Sequence, residues 1–329
     1  MRTYILKRLL LIIPTLLGIT TITFIITHLA PGETPITGGT DTGQLRGHLT
    51  REQIERWRDL HHLSDPIYVQ YVYWLGDVAK LNFGESFKDG RPVMTKILER
   101  LPITMTLSLT AIFLVYLIAI PLGVHSAVHQ NSLSDRITTF IVFVLYSLPG
   151  FWVAHVLLTY ACGGDYLNLF PLAGISSPSA SQMNAFQWFF DRLWHLILPI
   201  VCYTYGGLAG LSRYARAGML EVLRQDYVRT ARAKGLPERV VVMKHAFRNS
   251  IIPIVTIVAG LLPALLGGSV IVEQIFSIPG MGRLGFEAVL NRDYPVIMGL
   301  ATISAALTLI GILLSDLLYA VVDPRISYD

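Results

Sequence analysis

The sequence predicts an all-α membrane protein that crosses the bilayer six times. Three observations carry this. Of 329 residues, 53% are apolar and only 15% are charged, where an ordinary soluble domain is about 25% charged. Six long stretches contain no Asp, Glu, Lys or Arg, and a span needs about 20 mostly apolar residues. The basic residues are concentrated in one short loop, as the cytoplasmic side of a membrane protein requires. The same composition excludes a disordered chain.

The stretches are Leu9–Leu29, Leu101–Val124, Ile137–Gly164, Leu196–Ser212, Asn249–Val272 and Tyr294–Ser315. The third is long and is expected to end near Cys162. The fourth is short and is expected to run past Arg213. Pro14, Pro121, Pro149, Pro199, Pro253 and Pro263 lie in or near the spans, which points to packed helices whose freed carbonyls are satisfied internally. The first stretch follows Arg2, Lys7 and Arg8. It is too long for a signal-peptide core, and His28-Leu29-Ala30 is a poor cleavage site, so it reads as an uncleaved span.

Six spans place both termini on one side. The 213–248 loop carries nine Lys/Arg and three Asp/Glu, whereas 165–193 and 273–293 carry one and two basic residues. The termini and the 213–248 loop are therefore expected in the cytoplasm. The 30–100 segment is long enough to cross regardless of its charge. The net charge of +4 is accounted for by loops of this kind, and nucleic acid is not an expected partner. The organisation expected is an N-terminus and first span at 1–29, an extracytoplasmic helical segment at 30–100, a transmembrane core at 101–321 and a tail at 322–329.

Within the outer segment, Thr50 and Gln53 form a capping-box pattern ahead of Ile54 and Trp57. Asp65-Pro66 opens a second helix. Its Ile67, Tyr71, Trp74, Leu75 and Val78 fall at helical spacing and are rich in aromatics, as suits a membrane interface. Pro92 starts a third helix that leads into span two. A small helical cap on the outer face and a lid over a pore mouth both fit this pattern.

Several chemistries are missing. No Walker phosphate loop and no H-E-x-x-H occurs, and no Gly-x-Ser-x-Gly. Cys162 and Cys202 lie in or beside apolar stretches, so they read as buried thiols, not as a disulfide or metal framework. His61-His62 read as a solvated pair. No metal site, cofactor or catalytic residue is expected. Pro149, His155, Glu273 and Asp316 are candidates for a gate or for structural pairing. His155 lies mid-span, where polar groups are costly. Glu273 and Asp316 lie near span ends, and Asp316 is expected to pair with Arg325 or an arginine of the 213–248 loop. No span holds a chain of carboxylates, which argues against the competing class of ion-coupled secondary carrier. Such a carrier should also show inverted repeats.

The 213–248 loop is the informative segment. Leu220, Leu223, Tyr227 and Ala231 recur at helical steps and predict one stripe. Gly235 stands where a left-handed cap is needed. Pro237 fits the first turn of a second helix with Glu238 at its positive end. The loop is thus expected as two short helices bent at Gly235-Leu236-Pro237. Small residues at Thr230, Ala231, Ala233 and Gly235 would let another backbone come close, which a lipid-headgroup-binding loop does not need.

Asp226-Tyr-Val-Arg-Thr-Ala-Arg-Ala-Lys-Gly235, followed by His245-Ala-Phe-Arg-Asn-Ser-Ile-Ile-Pro253, resembles the coupling motif of ABC importer permeases. Arg229-Thr230-Ala231 stands where the generic motif has Glu-Ala-Ala, and Gly235 lies further from Pro253 than usual. Both departures are features of the dipeptide/oligopeptide branch. The likeness extends over essentially the whole chain. It includes Tyr4-Ile-Leu-Lys-Arg-Leu9, Tyr68-Val-Gln-Tyr71, Phe83-Gly-Glu-Ser-Phe87, Arg100-Leu-Pro102 and Ile120-Pro-Leu-Gly123. Towards the end come Val272-Glu-Gln-Ile-Phe-Ser-Ile-Pro-Gly-Met-Gly282, Asn291-Arg-Asp-Tyr-Pro295, Asp316-Leu-Leu-Tyr319 and Asp323-Pro-Arg325. Pro31-Gly-Glu-Thr-Pro35 departs from the family's Pro-Gly-Asp-Pro.

The resemblance implies a type I ABC importer permease in the inner membrane, forming half of a translocation pore. The partners implied are a second homologous permease, two ABC ATPase subunits and an extracytoplasmic substrate-binding protein. ATP and Mg would bind the ATPases, not this chain. Asp226, Tyr227, Arg229, Thr230, Ala231, Arg232, Ala233, Lys234, Gly235 and Leu236 would form the coupling helix that the ATPase moves. Peptides are the implied cargo, with nickel or glutathione-like peptides as alternatives within the branch.

Overall fold

A computed structural model describes residues 2–29, 64–162, 166–251, 254, 257, 261 and 264–322. The elements expected at Thr50–Trp57 and His61-His62, nine residues of the fifth stretch between 252 and 263, and the Asp323-Pro-Arg325 motif lie outside these residues. Among the described residues the only regular elements are helices, apart from one isolated bridge between Glu85 and Pro92.

The long helices follow the apolar stretches. They are α1 (Arg2–Leu29), α3 (Val93–Val128), α6 (Ala185–Leu223) and α13 (Tyr294–Val322). Each is long and apolar enough to cross a membrane. Between α1 and α3 lies α2 (Ile67–Ala79), which starts directly after Pro66 as expected. Pro92 caps α3, so the expected third outer helix and span two are one helix of 36 residues. α6 likewise runs beyond Arg213. Pro14, Pro121 and Pro199 all sit inside continuous helices.

The third stretch is not a single straight helix. α4 (Leu133–Ser147) and α5 (Gly150–Leu157, continued by a π-wound turn to Cys162) are bent by 96°. The cause is local. Leu148 precedes a proline, which disfavours the helical region, and it takes φ −81° and ψ 126°. Pro149 follows at φ −63° and ψ 138°. The Tyr205 hydroxyl of α6 then donates to the Leu148 carbonyl at 3.2 Å, satisfying a group the bend has freed. Counting the bent pair as one span gives up to five among the described residues.

α3 and α6 pack along most of their length and form the centre of the fold. At their closest approach a Cβ on Gly123 would lie 2.5 Å from the Ser212 carbonyl oxygen and 2.6 Å from the Ala215 Cβ. Only glycine allows that crossing. Leu107, Leu196, Leu198 and Ile278 bury an apolar core at one end. Ala127, Met219, Val228 and Val241 bury another at the opposite end, and this second core supports the 213–248 loop. α1 lies against α13 and is otherwise mostly exposed. Cys162 and Cys202 are free and buried.

Candidate functional site

α6 ends at Leu223. Arg224 and Gln225 turn the chain, Gln225 being extended at φ −72° and ψ 148°, and α7 (Asp226–Ala233) begins. The single stripe expected through Leu220, Leu223, Tyr227 and Ala231 is therefore broken. Re-aiming the helix at Gln225 turns Val228 and Ala231 inward and leaves Tyr227 exposed.

The end of α7 is as the sequence requires. Gly235 takes φ 74°. Its N–H donates to the Arg232 carbonyl at 2.9 Å, and the Leu236 N–H reaches the Ala231 carbonyl at 3.4 Å. This pair of bonds is the Schellman closure. Pro237, at φ −59° and ψ 140°, is the cap itself and not the first helical residue, so it stands one position earlier than expected. The chain resumes as α8 (Glu238–Val240), a π-wound stretch (Val241–Phe247) and α9 (Arg248–Ser250). Arg232 donates to Glu238 across the bend at 2.7 Å and 3.2 Å. That pairing lowers the Glu238 carboxyl below its usual range.

One face of α7 is anchored in its own chain. Val228 is fully buried and Ala231 nearly so, packed with Ala127 of α3, Met219 of α6 and Val241. The small side chain of Ala231 thus packs in a core of its own chain. Gly235 has open space around it within this chain, so inside the chain it is its φ, and not crowding, that calls for glycine. The outward face carries Asp226, Tyr227, Arg229, Thr230, Arg232, Ala233, Lys234 and Leu236, all exposed. Asn249 donates to the Tyr227 hydroxyl at 2.9 Å, tying α7 to α9.

The other candidates separate. Pro149 makes the bend described above. His155 is exposed on α5. Asp316 pairs with Arg8 of α1 at 3.0 Å, a partner that the sequence reading did not name. After the short α10 (Ala264–Gly267), Glu273 lies in α11 (Val270–Ile275) and is fully buried. Its Oε2 accepts from the Arg283 N–H at 2.7 Å, and its Oε1 from the hydroxyls of Thr104 and Tyr203 at 3.2 Å each. Those hydroxyls in turn accept from the N–H groups of Met281 and Ser269. One carboxylate thus ties α3 and α6 to the turn between α11 and α12 (Met281–Leu290).

Two polar networks escaped the sequence reading. Asp135, the acidic residue in the first turn of α4, is buried and accepts from Arg216 of α6 at 2.9 Å and from the Asn131 N–H at 3.0 Å, with Ser126 of α3 also in contact. Asp293 is buried and accepts from the Ser86 hydroxyl at 2.5 Å and the Phe87 N–H at 2.9 Å. Lys96 reaches Ser86 and Asp89 at 2.8 Å and 2.9 Å. No group of three or more metal-ligating residues occurs among the described residues.

Several helices long and apolar enough to cross a membrane, with an exposed loop seated on their ends, define a multi-pass membrane protein. Residues 119–328 match the family described as binding-protein-dependent transport system inner membrane component, and residues 1–110 match that family's N-terminal component. The chain belongs to this family. It is 43% identical over 329 residues to the oligopeptide transport system permease protein AppB of Bacillus subtilis (strain 168), covering all of both chains. It is 34% identical over 341 residues to the dipeptide transport system permease protein DppB of Escherichia coli (strain K12), covering 99% of this chain and 98% of that one. The inner membrane ABC transporter permease protein YejB of Escherichia coli O157:H7 is 35% identical over 366 residues, covering all of both. The chain is accordingly a non-enzymatic, multi-pass membrane subunit of a transport system, and the family implies ATPase and substrate-binding protein partners.

Proposed function

We propose that this chain forms half of the pore of an ATP-driven peptide importer and is driven through residues 226–236. The observation that carries this is the two-sided build of α7. Val228 and Ala231 fasten it to α3 and α6, while Asp226, Arg229, Arg232 and Lys234 remain exposed on its other side. A push on the exposed side is passed to the spans without loss in a flexible tether. The bend is held at Gly235 and by the Arg232–Glu238 pair, so α7 and the 238–250 segment move as one piece.

A second homologous permease completes the pore, and two ATPases dock on the two inner loops. ATP and Mg bind those subunits. A binding protein delivers cargo on the other side. The termini and the 213–248 loop lie in the cytoplasm, and 30–100 lies outside. Peptide cargo is favoured by the likeness to oligopeptide and dipeptide transport system permeases.

The test is co-expression with the neighbouring permease, ATPase and binding-protein genes, followed by reconstitution in vesicles. ATP-dependent uptake of labelled peptide is expected, with no ATPase activity from this chain alone. Uptake without ATPase subunits would overturn the reading.

A further inference from the structure

The thirteen residues of α2 include one charged side chain, Asp77. At 100° per residue, the groups that touch the rest of the protein gather on one side. Tyr71 and Trp74 lie against Phe24 of α1, with ring centroids 5.2 Å and 5.6 Å away. The Tyr71 hydroxyl is 2.7 Å from that of Thr21, and His28 is 3.2 Å from Gln70. Val78 packs on the cluster formed by Phe83, Val93 and Val296. The opposite side presents Tyr68, Val72 and Gly76. Tyr68 is 72% exposed and Val72 66% exposed. A helix with water on that side would carry its polar residues there, and this face has no charge.

The height of α2 follows from α1. Arg8 is fixed at one end by Asp316. Thr21 stands about 20 Å further along and His28 about 30 Å, at 1.5 Å per residue. The hydrocarbon core is about 30 Å thick. The contacts with α2 therefore occupy the last part of α1 before the boundary, where Tyr and Trp concentrate. On its side away from α2, the same length of α1 is exposed and apolar, with Ile22 60% and Ile26 62% accessible. The uncharged face of α2 lies at the height of that lipid-facing surface.

We propose that α2 is an interfacial helix whose Tyr68–Val72 face rests in the lipid headgroup boundary at the C-terminal end of α1. The outer segment is thereby fastened to the bilayer beside the spans. It does not close over a pore.

The experiment uses the assembled transporter in lipid nanodiscs. Cys162 and Cys202 are replaced by serine, and nitroxide labels are placed at Tyr68→Cys, Val72→Cys and Asp77→Cys in variants that retain uptake. Collision with oxygen, which partitions into lipid, is compared with collision with a water-soluble nickel chelate. The oxygen-to-nickel ratio is expected to be several-fold higher at positions 68 and 72 than at 77. Equal ratios at 72 and 77 would mean a water-facing lid and overturn the proposal. Protection of positions 68 and 72 from both reagents would also overturn it, because the face would then be covered by residues 30–63 or another protein.

Discussion

Arg232 and Glu238 face each other across the Gly235-Leu236-Pro237 bend, guanidinium to carboxylate at 2.7 Å. Both are exposed, so the pair adds little to global stability. Its effect is on geometry, because it fixes the angle at which α7 meets the segment that follows. The pairing lowers the Glu238 carboxyl, so its contribution is complete above the unfolded value of about 4.3 and fades as pH falls through the lower, folded value. Between pH 6 and 8 coupling should not change on this account. Arg232→Glu should lower uptake per ATP hydrolysed, and adding Glu238→Arg should restore part of it. Failure of the swap to restore coupling would remove the geometric role.

Gly235 separates backbone conformation from crowding. It has φ 74° and nothing near its missing side chain. The left-handed region costs an ordinary residue about 1–2 kcal/mol, and asparagine visits it readily. Gly235→Asn should therefore keep nearly full uptake, while Gly235→Val should lose most of it with normal membrane insertion. Equal loss in both variants would point to contact with a partner at this position and not to φ.

Ala231 and Val228 test the anchor. Removing two methyl groups in Val228→Ala should weaken the seat of α7 by about 2 kcal/mol. Ala231→Glu places an unpaired charge among Met219, Val228 and Val241 and should dislodge the helix. The measurement is protease sensitivity of residues 224–250 in membranes without ATPase. Increased cleavage in both variants is expected. A normal digest with lost ATPase co-purification would show instead that these side chains face the partner.

How much of this was legible in the sequence differs from residue to residue. The Gly235 cap could be read because a left-handed cap has a local signature. The positions of α1, α3, α6 and α13 could be read because a long uncharged stretch has few other uses. The break at Gln225 could not, since an extended residue between two good helical runs depends on where the core lies. Nor could the bend at Leu148-Pro149 be told from the tolerated prolines at positions 121 and 199, because what decides is whether a group such as the Tyr205 hydroxyl is there to satisfy the freed carbonyl. Asp135–Arg216 and Ser86–Asp293 join residues far apart in sequence, and spacing carries no information about such pairs.

The Ser86–Asp293 contact yields the last prediction. It joins positions 207 residues apart and brings two segments singled out on sequence grounds, Phe83–Phe87 and Asn291–Pro295, into one junction. Asp293 also accepts from the Phe87 N–H at 2.9 Å, and Lys96 lies 3.9 Å from its other oxygen. Asp293 and Lys96 are both buried. Removing the carboxylate takes away the acceptor of the Ser86 hydroxyl proton and of the Phe87 N–H, and part of the counter-charge of Lys96. Lys96 keeps Asp89 at 2.9 Å, so the charge is not stranded. The cost should be about 2–4 kcal/mol, between losing hydrogen bonds and breaking a buried ion pair. Asp293→Asn keeps one acceptor and should cost less than Asp293→Ala. Ser86→Ala removes one donor and should cost least. The order Ser86→Ala, Asp293→Asn, Asp293→Ala should appear as progressively lower melting temperatures of the detergent-solubilised complex. Residues 224–250 lie at the far end of α3, so ATPase co-purification at low temperature should be unaffected. Loss of ATPase binding in Asp293→Ala at temperatures where the protein stays folded would show that this junction is coupled to the inner loop and is not only a local clamp.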